Sequence, residues 1–189
     1  MKAFVTTTLI VAPLAAALAQ VPAGSSIFDK AINRPGIGWS IYGANQTAKQ
    51  VPAAEVPGGA AVRVEVRRAG ANPWDVGGAY PTVKPIAAGD TLLVMLYLRA
   101  PDTKEGDSAP VPIGASEADA PYTPIADQTV KVGPVWKRYF AAGVSSKGFA
   151  AGKARIAIQL GGAKQVVEVG PAFLFDMGPG YDMAKLPHN

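Results

Sequence analysis

The sequence consists largely of short apolar runs, most of them bounded by glycine or proline, and this feature most restricts the folds that it can adopt. In residues 60–66, valines alternate with charged side chains, which predicts a β-strand with one buried face. Residues 91–100 are apolar on both parities, which predicts a central strand covered on both faces. With 21 glycines and 17 prolines, the chain is poorly suited to a helical bundle.

Further short runs extend this pattern to the end of the chain. Strands are predicted over residues 111–115, 128–132, 136–141, 154–160, 166–169 and 172–176. Residues 20–43 are interpreted as loop and short strand. Many short strands at close spacing are typical of a β-sandwich or a β-barrel, so the sequence predicts an all-β fold of one of these two kinds.

The N-terminus has the pattern of a secretory signal peptide. Lys2 is followed by an apolar run over residues 3–19 that ends in small residues, and cleavage is expected before Gln20. The run contains Pro13, and no comparable run follows it, which argues against a permanent membrane span. The protein is therefore expected to be secreted or periplasmic.

Composition excludes several classes of function. Cysteine is absent, so disulfides and thiolate metal sites are excluded. The formal net charge of +4, without a basic run, is too small for a nucleic-acid footprint. The single histidine, His188, is next to the last residue, which excludes a histidine general base, a Ser-His-Asp triad and a multi-histidine metal site.

Four stretches of sequence carry a resemblance to a known family. They are residues 72–76 (NPWDV), 86–91 (IAAGDT) running into 96–100 (LYLRA), 130–139 (VKVGPVWKRY), and 156–161 (IAIQLG) followed by the closing strand 173–176 (FLFD). In order and spacing, over roughly residues 55–178, they resemble the β-jelly-roll carbohydrate-binding modules of the family 4/9 type, in the galactose-binding-like group.

The resemblance implies a single antiparallel β-sandwich, a jelly roll, over residues 20–178. It also implies a protein that holds a polysaccharide or oligosaccharide on an uncovered sheet face. The glycine, proline and polar residues of 179–189 indicate a flexible tail. No cofactor is expected. A structural calcium ion is common in the family, but residues 167–170 (VEVG) replace the acidic residues that many relatives carry there, which argues against it.

A sugar-binding face needs flat aromatic rings for C–H patches and polar side chains for hydroxyls. Strand parity places several polar side chains on outward faces, Arg155 among them. The resemblance places the Trp74–Asp75 pair near the glycan. Loop aromatics, including Tyr122, are further candidates, with core packing as the alternative for each ring; Trp136 is interpreted as core. The predicted ligand-binding residues are Trp74, Asp75, Tyr97, Arg99, Gln159, Arg63, Trp39 and Tyr80.

Several arginines on one face would favour an acidic glycan, since guanidinium matches carboxylate geometry. An enzyme that hydrolyses or cleaves polysaccharides is an alternative. Asp90 is interpreted as a turn residue, Asp176 ends a strand, and Glu65 has arginine neighbours that keep it ionised, so no catalytic residue is assigned. An envelope accessory protein that binds a protein partner is the other alternative.

Overall fold

The computed structural model describes residues 26–104 and 110–189. The predicted signal peptide, residues 1–19, and its cleavage before Gln20 lie outside the described residues. In the described part, the strands are β1 (Ser40–Gly43), β2 (Gln46–Pro52), β3 (Ala60–Val66), β4 (Val76–Pro81), β5 (Asp90–Arg99), β6 (Pro110–Glu117), β7 (Pro124–Lys131), β8 (Lys137–Val144), β9 (Ala154–Gln159) and β10 (Gln165–Pro179). Short 3-10 helices span Ile27–Lys30, Pro73–Asp75 and Met183–Lys185.

The strands form two five-stranded sheets. The first sheet has the order β1-β4-β9-β6-β7, and the second has the order β2-β3-β10-β5-β8. All the strand pairings in both sheets are antiparallel. One hydrophobic cluster joins the inner faces of the two sheets. The prediction of an all-β antiparallel sandwich is therefore confirmed.

Alternation along the strands builds this core. In β3, Val64 and Val66 are at most 1% exposed, with an exposed glutamate between them. Ile156 and Ile158 of β9, in the other sheet, are fully buried in the same cluster. Removing a side chain of this size from water contributes about 1.5 to 3 kcal/mol. The strand predicted over residues 60–66 matches β3 at both ends.

The second sheet is also covered on much of its outer face. Leu93 and Met95 of β5 point away from the main core and contact Phe175 of β10 and Leu186 of the C-terminal segment. Strand β5 is thus buried on both faces, as its sequence predicts. A smaller cluster, which includes Val56 from the β2–β3 loop, covers another part of this face.

The segment predicted as a flexible tail, residues 179–189, is mostly exposed but contacts the second sheet near its end. Leu186 is 6% exposed. The side chain of Asn189 forms two hydrogen bonds with the backbone of Phe140, of 2.9 Å to its N–H and 2.8 Å to its carbonyl oxygen. These contacts attach the last residues to the sheet, and a composition rich in glycine, proline and polar residues does not reveal them.

Two other features differ from the sequence-based expectation. The strands predicted over residues 166–169 and 172–176 form one strand, β10, with a shift of register between Val169 and Ala172. Strand β2 was not predicted, because it lies at the sheet edge, is mostly exposed and lacks apolar alternation. Within residues 26–104 and 110–189, the helices fall short of the length and hydropathy needed to cross a membrane.

Candidate ligand-binding groove

The outer face of the first sheet carries a groove of about 620 Å³. This volume lies in the range that is usual for small-molecule sites. The groove is lined by side chains of β1, β6, β7 and β9, the helix Pro73–Asp75 and the β6–β7 loop. These residues are Tyr42, Trp74, Pro112, Ile113, Gly114, Ala115, Ser116, Pro121, Tyr122, Pro124, Ala126, Asp127, Arg155, Ala157 and Gln159.

Small residues keep the floor of the groove low. Gly114 of β6 and Ala157 of β9 lie opposite each other in the sheet register. On the neighbouring strand β4, Gly77 pairs with Gln159 on one side and Tyr42 on the other. A Cβ atom on Gly77 would lie 2.6 Å from the Tyr42 hydroxyl oxygen, so glycine is needed there for the tyrosine side chain to lie across the sheet.

Trp74 lies at the Gln159 end of the groove, with 57% of its surface exposed. Its helix is held by the Asp75 carboxylate, whose Oδ2 accepts a hydrogen bond of 3.0 Å from the backbone N–H of Asn72. The N–H of Gly161 donates to the carbonyl oxygen of Pro73 over 2.8 Å, which attaches the helix to the end of β9. Asp75 thus positions the indole ring of Trp74.

Tyr122 lies at the opposite, Arg155 end. Its ring is 51% exposed, and its backbone has φ of 59°, in the left-handed region that non-glycine residues adopt at a cost. The Arg155 guanidinium carbon lies 4.7 Å from the centre of this ring. Arg155 and Gln159 are four residues apart on β9, about 13 Å at roughly 3.3 Å per residue. Exposed aromatic rings therefore stand near both ends of the groove.

The polar groups of the groove suit hydroxyl recognition. Burial raises the pKa of the Tyr42 hydroxyl; the charge of Arg155 lowers it in part, and Tyr122 adds to the rise. The hydroxyl therefore stays protonated at neutral pH and can donate or accept a hydrogen bond. The Gln159 amide, the Ser116 hydroxyl and the Arg155 guanidinium add further donors and acceptors.

The predicted residues Arg63, Tyr97 and Arg99 do not share this groove with Trp74 and Gln159. They belong to β3 and β5 of the second sheet. The expectation of one shared binding face is therefore wrong. Parity correctly indicated outward side chains, but it does not reveal which sheet a strand joins.

On the second sheet, the two arginines bind Glu168 of β10, which is 3% exposed. Arg63 Nη1 lies 3.1 Å from Glu168 Oε1, and Arg99 Nε lies 2.6 Å from Oε2. The Arg99 guanidinium lies 5.0 Å from the centre of the Trp136 ring. Trp136 is half-buried on this outer face, which corrects its interpretation as a core residue.

Trp39 and Tyr80 lie in the core between the sheets, each 9% exposed. Their rings meet edge to face with centroids 5.6 Å apart. Trp39 Nε1 donates to the Gly170 carbonyl oxygen over 3.1 Å, and the Tyr80 hydroxyl donates to that of Arg34 over 2.6 Å. The expectation that they are loop aromatics exposed to a ligand is wrong, since both their rings and their polar atoms are engaged inside the protein.

Sequence reasoning missed Tyr42 and Asp127 and left Arg155 and Tyr122 out of the predicted set. Arg155 has the same parity as Gln159 on β9, and this signal was sufficient to find it. Tyr42 lies on the short edge strand β1, in a stretch interpreted as loop and short strand. The residues described hold no group of three or more histidine, cysteine, aspartate or glutamate side chains arranged for a metal ion.

No protein-family model matches the sequence, and no curated protein matches it. Solved structures do match the fold. A family 4 carbohydrate-binding module, "CBM4 structure and function", aligns with a TM-score of 0.55 and 20% identity over 74% of this chain and 94% of that one. The N-terminal cellulose-binding domain of Cellulomonas fimi β-1,4-glucanase C aligns with a TM-score of 0.52 and 20% identity, over 75% and 88% of the two chains.

The CBM22-1–GH10 modules of Clostridium thermocellum xylanase 10B, solved with xylohexaose, align with a TM-score of 0.57 and 13% identity. That alignment covers 78% of this chain and 29% of the xylanase chain. Family 4 and family 22 modules match about equally well, so the likeness does not distinguish between them. At these identities the comparisons establish the fold alone: this chain has the β-sandwich fold of carbohydrate-binding modules.

Proposed function

We propose that this chain is a non-catalytic carbohydrate-binding protein, which holds a polysaccharide or oligosaccharide in the groove on the first sheet. The observation that carries the proposal is the pair of exposed rings, Trp74 and Tyr122, near the two ends of a groove that is lined between them by polar side chains. The structural neighbours named above are carbohydrate-binding modules, which supports the same ligand class.

The chemistry of the groove matches that of a sugar chain. The axial C–H groups of a pyranose form flat apolar patches that pack on aromatic rings. Its hydroxyls need donors and acceptors, which Tyr42, Gln159 and Arg155 supply at the floor of the groove. Large aromatic side chains are highly buried on average, so a Trp74 ring more than half exposed beside a groove indicates a contact surface.

A glycosidase places two carboxyl groups across the scissile bond. Among the described residues that line the groove, Asp127 is the one that carries a carboxyl group. We therefore expect binding without cleavage. A polysaccharide-cleaving enzyme would release new reducing ends or unsaturated products when incubated with a panel of polysaccharides, and this assay separates it from a binder.

Export is part of the proposal. It rests on the signal pattern of Lys2 and the apolar run over residues 3–19, so the mature chain would begin at Gln20 and act in the periplasm or outside the cell. Mass spectrometry of the N-terminus of the protein recovered from its native host would test this, and an intact residue 1 would contradict it.

Affinity electrophoresis and titration calorimetry with neutral and acidic polysaccharides test the binding proposal. The Trp74→Ala and Tyr122→Ala variants should each lose about fivefold or more in affinity, at the scale of about 1–3 kcal/mol for removing a stacked ring. Tyr181→Ala, which removes an exposed ring in the C-terminal segment after β10, is the matched control. If neither groove variant changes binding, or no polysaccharide binds, the proposal is wrong. A protein partner captured with undiminished strength by both groove variants would favour the envelope accessory alternative.

A further inference from the structure

Arg155 is a cation in the groove that has no carboxylate partner in the part of the chain that the structure describes. Its Nε lies 3.4 Å from the Ser116 hydroxyl, which is a weak contact. Arg63 and Arg99, by contrast, both form ion pairs with Glu168. A half-buried guanidinium whose terminal nitrogens have no acceptor among the described residues is placed to donate hydrogen bonds to a ligand.

The neighbouring lysines are already compensated. Lys147 pairs with Glu117, and Lys153 Nζ lies 3.1 Å from Asp119 Oδ2. Both pairs lie near the Tyr122 end of the groove, around the β6–β7 loop and the start of β9. Among the described residues that line the groove, Arg155 is thus the one cation, and its charge is left for a ligand.

Asp127 places a negative charge on the β7 side of the groove. It lies on β7 opposite Gly114, whereas Arg155 lies on β9 opposite Ser116. Strand β6 therefore separates the two residues in the sheet. An anionic group would be repelled on the β7 side and attracted on the β9 side, so the groove distinguishes the two sides of a bound chain.

The stacking of Arg155 on Tyr122 defines the geometry. With the guanidinium carbon 4.7 Å from the ring centre, the tyrosine limits how the arginine fork can turn. Such a fork donates two parallel hydrogen bonds to a carboxylate, an arrangement that a hydroxyl cannot match. The exposed part of the tyrosine ring can pack on the sugar that carries that carboxylate.

We propose that the groove recognises an acidic glycan, with Arg155 and Tyr122 forming a subsite for the carboxylate of a uronic acid residue. This inference rests on the proposed function. It adds a ligand class and a specificity-determining residue to the groove.

The test uses two ligand pairs: oligomers of polygalacturonate and of polyglucuronate, each compared with the same oligomers after reduction of their carboxyl groups to alcohols. For at least one pair, the protein should bind the charged member about tenfold or more tightly, as expected for a charge-assisted bidentate contact. Arg155→Gln should abolish this ratio by weakening binding of the charged oligomer far more than binding of the reduced one, and Arg155→Lys should restore only part of it.

Asp127→Asn is the matched control, because it alters a charge of opposite sign in the same groove; it should leave the preference intact or increase it. Equal binding of charged and reduced oligomers by the unaltered protein would overturn the inference and leave the proposed function standing. Binding of neutral glycans but of neither pair would do the same. Failure to bind any glycan would overturn both, and unchanged melting temperatures of the variants ensure that lost binding is not lost folding.

Discussion

On the second sheet, Arg99 Nε donates a hydrogen bond of 2.6 Å to Oε2 of Glu168, whose side chain is 4% exposed. Arg63 binds the other carboxylate oxygen from the opposite side. The buried partner is the acid, while the two arginine side chains are 31% and 26% exposed. The arginines contact water in the folded protein, whereas the Glu168 carboxylate, on the outer face of the sheet, is almost fully covered and depends on them for its hydrogen bonds.

This asymmetry predicts unequal costs of substitution. The double variant Arg63→Met, Arg99→Met leaves a buried charge unpaired and should lower the free energy of unfolding by about 3 to 5 kcal/mol. Glu168→Met should cost less, since the arginines turn to solvent. Urea denaturation measures both values, with the exposed Arg68→Met as control. A larger loss for Glu168→Met than for the double variant would contradict this account.

The double variant tests the stability of the second sheet and not ligand binding, because neither arginine lines the groove. Arg99 was expected from the sequence to bind ligand, but it lies on the sheet that does not carry the groove. The sequence indicated outward-facing residues well, and Trp74 and Gln159 do line the groove. It could not show that β5 and β9 belong to different sheets, because strand order is set by pairing between residues far apart in the chain, such as β9 with β4 and β6.

The strands themselves were more accessible to prediction than the site. Strands β3 and β9 can be predicted from the alternation of valine or isoleucine with other residues, since one face of each strand is buried. Edge strands carry no such pattern, which is why β2 was missed and Tyr42 of β1 was not recognised as a groove residue. The burial of Trp39 and Tyr80 depends on partners such as the Gly170 carbonyl oxygen, far away in sequence, and no local pattern reports that contact.

Tyr42→Phe should weaken glycan binding about five- to tenfold, because it removes one hydroxyl hydrogen bond of about 1 kcal/mol from the groove floor. The melting temperature should change little, since the ring is retained and the hydroxyl faces the groove.

Burial raises the pKa of the Tyr42 hydroxyl, so binding should be constant between about pH 6 and pH 9, below the ordinary tyrosine pKa. Calorimetric titration across this range measures both effects. A Tyr42→Phe variant that binds as tightly as the unaltered protein would remove Tyr42 from the site.

The protein should become more stable as the pH falls and the Asp176 carboxylate takes up a proton. Burial raises its pKa, and the charge of Asp90 adds to the rise, while the Gly178 N–H and Lys30 oppose it. A raised pKa in the folded state means that the folded protein holds the proton more tightly than the unfolded chain does. The contribution is therefore fully present below the unfolded pKa and is lost as the pH rises through the folded pKa.

Asp176→Asn tests this sign. The amide oxygen can still accept the hydrogen bond that Gly178 donates, but the charge is gone. The variant should melt at a higher temperature than the unaltered protein near about pH 7. The difference should shrink towards zero near about pH 3, where the aspartate is protonated and is as neutral as the asparagine that replaces it. Asp127→Asn, at an exposed position, is the control. An Asp176→Asn variant that is less stable at neutral pH would show that its carboxylate is favoured in the fold.

Gly77→Ala should damage the groove from beneath. The added Cβ would lie 2.6 Å from both the Tyr42 hydroxyl oxygen and the Ile158 carbonyl oxygen, and the second of these belongs to the backbone of β9 and has little freedom to move. We expect a loss of about 1 to 3 kcal/mol in the free energy of unfolding, from overpacking.

Glycan affinity should also fall in the Gly77→Ala variant if it still folds, because the tyrosine must leave its position across the sheet. Gly162→Ala, where a Cβ meets no atom within 4 Å, is the matched control and should change neither quantity. Chemical denaturation and calorimetry on the two variants measure these outcomes, and a Gly77→Ala protein with normal affinity would mean that the position of Tyr42 does not matter for binding.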